Sequence, residues 1–124
     1  MKIMLVDDES TVRQTIAVML ESNDFKVEKF ERSEDALQVL DEGDGAFDCI
    51  ILDYSMPVTN GWQALQRIRH MKITTPVVLC TGLIPPQPNE NDFEPDAILA
   101  KPFRMAQLLD TIQEVTKKTR PEQN

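Results

Sequence analysis

A chain of 124 residues with 41% apolar and 27% charged content has the length and make-up of one globular domain. Its net charge of −8 opposes a phosphate-binding surface, so no nucleic acid is expected as a partner, while metal cations and basic protein surfaces stay open. The opening "MKIMLVDD" holds only four apolar residues in a row, too few for a signal peptide or a membrane span, so the expectation is a cytoplasmic protein with no membrane partner.

The first apolar run, "IMLV" at residues 3–6, ends abruptly in Asp7, Asp8 and Glu9, three like charges that resist burial. Val12, Ile16, Met19 and Leu20 then recur at helical spacing, with Ser10 available as a cap and Asn23 near the stop. "KVEKF" at 26–30 alternates apolar with charged residues, as a half-exposed edge strand does. Ser33 can cap a second helix, whose first turn carries Glu34 and Asp35 and whose stripe is Ala36, Leu37 and Leu40. "CIIL" at 49–52 is a second unbroken apolar run. Asn60-Gly61 precede a third helix with Trp62, Leu65 and Ile68 on one face. "VVLC" at 77–80 and "AILA" at 97–100 are the last two runs. Between them Pro85, Pro86, Pro88 and Pro95 remove donors and disfavour helix before them, leaving room for at most a short helix over 89–93. Met105, Leu108, Leu109, Ile112 and Val115 form the cleanest stripe, and Lys117-Lys118 suit the negative end of that helix.

Unbroken apolar runs suit strands covered on both faces, and their alternation with helices implies an α/β fold with a parallel sheet and right-handed crossovers. Cys49 and Cys80 sit at ends of such runs. In neighbouring parallel strands they would lie roughly 10 Å apart, too far for a disulfide, so two buried free thiols are expected. Lone His70 reads as solvated and Trp62 as a packing residue, while Pro57 shapes the turn before Gly61.

Ligands in open α/β sheets bind beyond the carboxyl ends of the strands. Here those ends are followed by Asp7 and Asp8, Asp53, Thr81 and Lys101. Three carboxylates, a hydroxyl and an ammonium therefore meet at one edge, which explains why a buried strand ends in acids. Oxygen ligands without His or Cys select a hard ion, Mg²⁺ first, then Mn²⁺ or Ca²⁺. Without metal the acids repel, and at least one is expected to titrate high. With metal, a phosphoryl group can approach Asp53, a candidate nucleophile, and Lys101 can stabilise the charge in transfer.

At "LVDDES", "IILDYSMPVTNG", "VVLCTG" and "AKPF" the chain resembles the receiver domain of two-component response regulators, the single-domain chemotaxis regulators among them. The resemblance runs from Lys2 to about Lys118. It implies a flavodoxin-like, doubly wound five-stranded sheet in the order 2-1-3-4-5, here with an irregular, proline-rich fourth helix region. It implies that Asp53 accepts phosphate from a histidine kinase or histidine phosphotransfer protein in a phosphorelay. It also implies that Asp8, Asp53 and the main-chain carbonyl of Ser55 bind Mg²⁺, that Asp7 assists through water, and that Lys101 and Thr81 contact the phosphoryl group. The Lys101-Pro102 bond is expected to be cis. The chain departs from the family at Ile98, where an aromatic switch is usual, at Gly82, and in the proline-rich stretch after it.

The resulting expectation is a receiver over 1–118 with a polar tail over 119–124, standing alone and signalling to a downstream protein that the sequence does not name. It would catalyse only its own phosphorylation and dephosphorylation. A small Mg²⁺-dependent phosphatase would need D-x-D-x-[TV], whereas the strands here read "DDES" and "DYSM". A phosphate-independent scaffold would have lost an acid or the lysine, and none is lost. Leu83 is expected to overhang the phosphoryl site and slow its hydrolysis, and signalling is expected to order or shift the segment 82–97 around Thr81, with little contribution from a rotamer flip at Ile98.

Overall fold

The computed structural model describes residues 1–43, 46–82 and 88–119. In chain order the elements are β1 (Lys2–Val6), α1 (Ser10–Glu21), β2 (Lys26–Phe30), α2 (Ser33–Asp41), β3 (Cys49–Asp53), α3 (Gly61–His70), β4 (Val77–Thr81), β5 (Ala97–Ala100) and α4 (Met105–Thr119). The strands are all parallel in the order β2-β1-β3-β4-β5, a doubly wound, flavodoxin-like sheet. None of the described helices is long and apolar enough to cross a membrane.

The apolar runs are explained by two-sided burial. Ile3, Leu5, Cys49, Ile51, Val78 and Cys80 point to one face, where Ile16 and Leu20 of α1 and Leu108, Ile112 and Val115 of α4 cover them. Met4, Val6, Ile50, Leu52, Val77 and Leu79 point to the other, under Ala36 and Leu37 of α2 and Leu65 and Ile68 of α3. Each fully buried Leu or Ile contributes about 1.5–3 kcal/mol relative to an exposed one, so the central strands tolerate no polar residue short of their ends. β2 is the half-exposed edge its alternation predicts. Both cysteines are buried and free, with Cys80 beside Asp53 at the far end of β3 from Cys49. The Lys101-Pro102 bond is cis, as expected.

Two local expectations are corrected. Ser10 and Ser33 do not cap; they are the first residues inside α1 and α2, behind Glu9 and Arg32, neither of which makes a side-chain cap bond. The Asp7 side chain accepts from the Glu9 amide instead, and the Ser33 hydroxyl turns inward to the Met56 sulfur. α1 ends at Glu21 with Ser22 as its C-cap, so Asn23 lies near the stop as expected, and its Nδ2 donates to Met19 O (2.9 Å). Over 89–93 there is a turn in place of the short helix: the Asn89 amide donates to Asp92 Oδ2, and the Phe93 amide donates to Gln66 Oε1 on α3. With the Phe93 amide taken by a side chain, it cannot close an i−4 bond onto Asn89 O. Leu83, Pro85 and Pro86, with the polar residues 120–124, lie outside the described residues.

Candidate functional site

The Asp7 amide donates to Phe30 O (3.1 Å), which carries the parallel ladder one residue past β1 and delivers its carboxylate to the sheet edge. Asp7 is 2% exposed and Asp53, the last residue of β3, is 5% exposed, while Asp8 is half-buried. One carboxylate oxygen from each of the three lies within 4.8 Å of the others. Past β5, the Lys101 amide donates to Thr81 O (2.9 Å), again extending the ladder. This sets Lys101 Nζ 2.7 Å from Asp53 Oδ1 and 3.5 Å from Asp7 Oδ2. A clustered, oxygen-only donor set with one cation among three acids suits a hard divalent ion such as Mg²⁺.

Burial pushes the Asp53 carboxyl up from its ordinary value, and the Asp7 and Asp8 charges add to the rise against the opposing pull of Lys101. Burial alone would pull the Lys101 ammonium down. Its hydrogen bond to Asp53 and the charges of Asp53 and Asp7 outweigh that and raise it, so it stays cationic at neutral pH.

The loop from Tyr54 to Asn60 is pinned at both ends. The Tyr54 amide donates to Cys80 O (2.8 Å) and the Gly61 amide to Tyr54 O (2.9 Å). A Cβ on Gly61 would meet the Asp53 carbonyl oxygen at 2.5 Å and Leu79 Cδ1 at 2.7 Å, so only glycine lets α3 start this close to the end of β3. Asn60 caps α3 in a reciprocal box: its Oδ1 accepts from the Gln63 amide, and Gln63 Oε1 accepts from the Asn60 amide. At the crest, Val58 is 88% exposed with φ 68°, a left-handed conformation that a β-branched residue rarely adopts.

A pocket of about 440 Å³ opens over these groups, lined by Asp8, Glu9, Asp53, Ser55, Gly82 and Lys101. Of the residues singled out in the sequence, Asp7 and Thr81 lie beneath this lining. Thr81 is 3% exposed at the end of β4. Two lining residues were not singled out as site residues. Glu9 follows the aspartates directly, and Gly82 leaves room above Lys101, whose Cβ is 3.9 Å from where a Gly82 side chain would begin. A larger apolar groove of about 530 Å³ runs between α1 and Pro102, Phe103 and Met105, and touches the predicted site only at Lys101. Trp62 packs partly buried against the α3-side core, and His70 is exposed, edge-on to Phe93 with ring centroids 5.6 Å apart.

Known proteins share this fold. The cell cycle response regulator CtrA of Brucella ovis is 27% identical over 122 residues, which are 97% of this chain and 52% of that protein. The chain thus spans about half the length of the curated relatives it matches. Chemotaxis protein CheY4 of Vibrio cholerae is 28% identical with a TM-score of 0.75, over 92% of this chain and 97% of that one. The receiver domain of a sensor histidine kinase from Pseudomonas aeruginosa, which carries a magnesium ion in its active site cleft, shares the fold at 24% identity and a TM-score of 0.80, over 94% and 97%. Residues 3–113, nearly the whole described sheet and its helices, match the response regulator receiver domain family, and the chain belongs to that family.

Proposed function

We propose that this receiver takes a phosphoryl group on Asp53 from a phosphohistidine of a histidine kinase or a histidine phosphotransfer protein, with Mg²⁺ bound and with Mn²⁺ able to replace it. The observation that carries the reading is the convergence of Asp7, Asp8 and Asp53 on Lys101 at one sheet edge, beside an open pocket. Asp8, Asp53 and the main-chain carbonyl of Ser55 would hold the ion, with Asp7 acting through water. Once bound, the ion neutralises the acids and draws charge from the phosphoryl oxygens.

In the transfer, an Asp53 carboxylate oxygen attacks phosphorus in line. The O–P bond forms as the N–P bond to histidine breaks, and the leaving imidazole nitrogen keeps the electron pair. Lys101, already 2.7 Å from Asp53, would exchange part of that ion pair for the incoming oxygens. Thr81 would hydrogen-bond the phosphoryl group and pass its presence to the distal face. The receiver spans 1–118 with a polar tail after it, acts in the cytoplasm on no substrate but itself, and signals by protein contact without nucleic acid. Ile98 is 45% exposed on β5, and a branched side chain with no polar tip cannot act as the family's aromatic switch. The output therefore goes through the segment 82–97.

Incubation with acetyl phosphate and Mg²⁺, followed by intact mass measurement, should show a single added phosphate that Asp53→Asn abolishes while circular dichroism stays native. Labelling that persists in Asp53→Asn would overturn the assignment. Repeated turnover of small phosphoesters would favour the phosphatase reading.

A further inference from the structure

Asp7 is held through its side chain and through both of its peptide groups. Its amide donates to Phe30 O at 3.1 Å, its Oδ1 accepts from the Glu9 amide at 2.9 Å, and its carbonyl oxygen accepts from Arg13 Nη1 at 2.7 Å. Asp8 differs: among the described hydrogen bonds, none is made by its side chain. Where its carboxylate stands relative to those of Asp7 and Asp53 therefore depends on the backbone between residues 7 and 8. The peptide joining them is a rigid plane, so a donor fixed on its carbonyl oxygen also fixes its N–H and the Cα of Asp8. Arg13 can act as that donor because it is itself anchored. It lies half-buried in the first turns of α1, and its own amide donates to Glu9 O at 2.9 Å. With no side-chain cap on α1, the Arg13 and Asp7 contacts are what hold the turn from strand to helix.

We propose that Arg13 is a positioning residue for the divalent-cation site: by holding the Asp7 carbonyl it sets the peptide that carries Asp8 and so aims the Asp8 carboxylate at the ion. This rests on the metal reading above. A guanidinium so close to the site also acts through its charge, and that effect has the opposite sign, because a cation repels a divalent ion. If charge were its whole role, removing Arg13 would tighten Mg²⁺ binding. As a positioning residue, removing it must weaken binding.

The test is calorimetric titration of the full chain with Mg²⁺, with thermal melts by circular dichroism in parallel, for the unaltered protein and for Arg13→Met, Arg13→Gln and Arg13→Lys. Arg13→Met should weaken binding about tenfold, the usual loss when a group that orients a ligand is removed. Arg13→Gln should move the same way and serves if Arg13→Met does not fold. Arg13→Lys should recover most of the affinity, because the contact uses a single N–H. Unchanged or tighter binding in a folded Arg13→Met overturns the proposal, as does a lysine variant no better than the methionine one. A variant that melts lower but titrates like the unaltered chain shows a merely structural role and overturns it too. An unaltered chain that takes up no Mg²⁺ sinks the metal reading and this proposal together. Normal Mg²⁺ binding without labelling of Asp53 sinks the proposed function and leaves this one standing.

Discussion

Asp53 titrates above its ordinary value because it is buried and because Asp7 and Asp8 repel its charge, with Lys101 offsetting part of both. A carboxyl whose folded value is raised binds its proton more tightly folded than unfolded. Its ionised form therefore destabilises the metal-free fold, and the cost is absent below the unfolded value and complete above the folded one. Asparagine resembles the protonated form. Asp53→Asn should accordingly melt higher than the unaltered chain at pH 7 without metal, and the gap should close as the pH falls toward 3.8, the ordinary value. A gap that widens on acidification would reverse the sign argument. Gly61 carries the opposite lesson. A methyl group there strikes the Asp53 carbonyl and Leu79, so Gly61→Ala should cost about 1–3 kcal/mol in denaturant unfolding, the range of overpacked cores, and disturb labelling of Asp53 as well.

Among elements, α3 does more than cover the sheet. Its Gln66 side chain grips the Phe93 backbone from both sides, donating to the carbonyl (2.8 Å) and accepting from the amide (2.9 Å). One helical turn on, His70 meets the Phe93 ring edge-on. At the far end of the same segment Asp96 Oδ2 accepts from Arg69 and from the Val77 amide, both at 2.8 Å. The stretch before β5 is therefore tied to α3 by side chains where a helix would have tied itself. Gln66→Ala should lower stability by only about 1 kcal/mol, since the contacts are partly solvated, yet should greatly speed hydrogen exchange at the Phe93 amide. Exchange there that does not change would show that the grip holds nothing.

At the scale of the whole molecule, the charge of −8 and the acidic edge predict that divalent cations stabilise the fold. Mg²⁺ at about 100 times its dissociation constant should add about 2.7 kcal/mol, visible as a raised melting temperature that chelation reverses. The same concentration of a monovalent salt should give much less. The interior makes a second global prediction. Burial pushes the Cys49 and Cys80 thiols up to about 12, and both lie inside the sheet, so neither should react with a disulfide reagent at pH 8 until the chain unfolds, when both should.

How much of this was legible in the residues follows from what each feature depends on. Two-sided burial demands unbroken apolar runs, and a parallel sheet brings every strand's carboxyl end to one edge. The strands, the fold class and the meeting of Asp7, Asp8, Asp53 and Lys101 were therefore written in the sequence, because each depends on hydrophobicity and spacing alone. The Asn60-x-x-Gln63 box could also have been read from its spacing. The departures turn on where a helix starts and on which acceptor reaches a given amide. Ser10 and Ser33 had cap-forming side chains, but whether a serine caps depends on where the helix starts. Both helices begin one residue too early for that, with Glu9 and Arg32 at the cap positions and each serine already inside the first turn. The Phe93 amide could have closed a helical turn onto Asn89 O, but the distant Gln66 took it. Arg13 showed no sign of its contact, because a guanidinium on a helix reaches a carbonyl six residues back only once the strand and the helix have been placed. Local pattern determined which elements form and what ends them chemically. Tertiary structure alone decided which donor each acceptor received, because that depends on distances that only the packed chain sets.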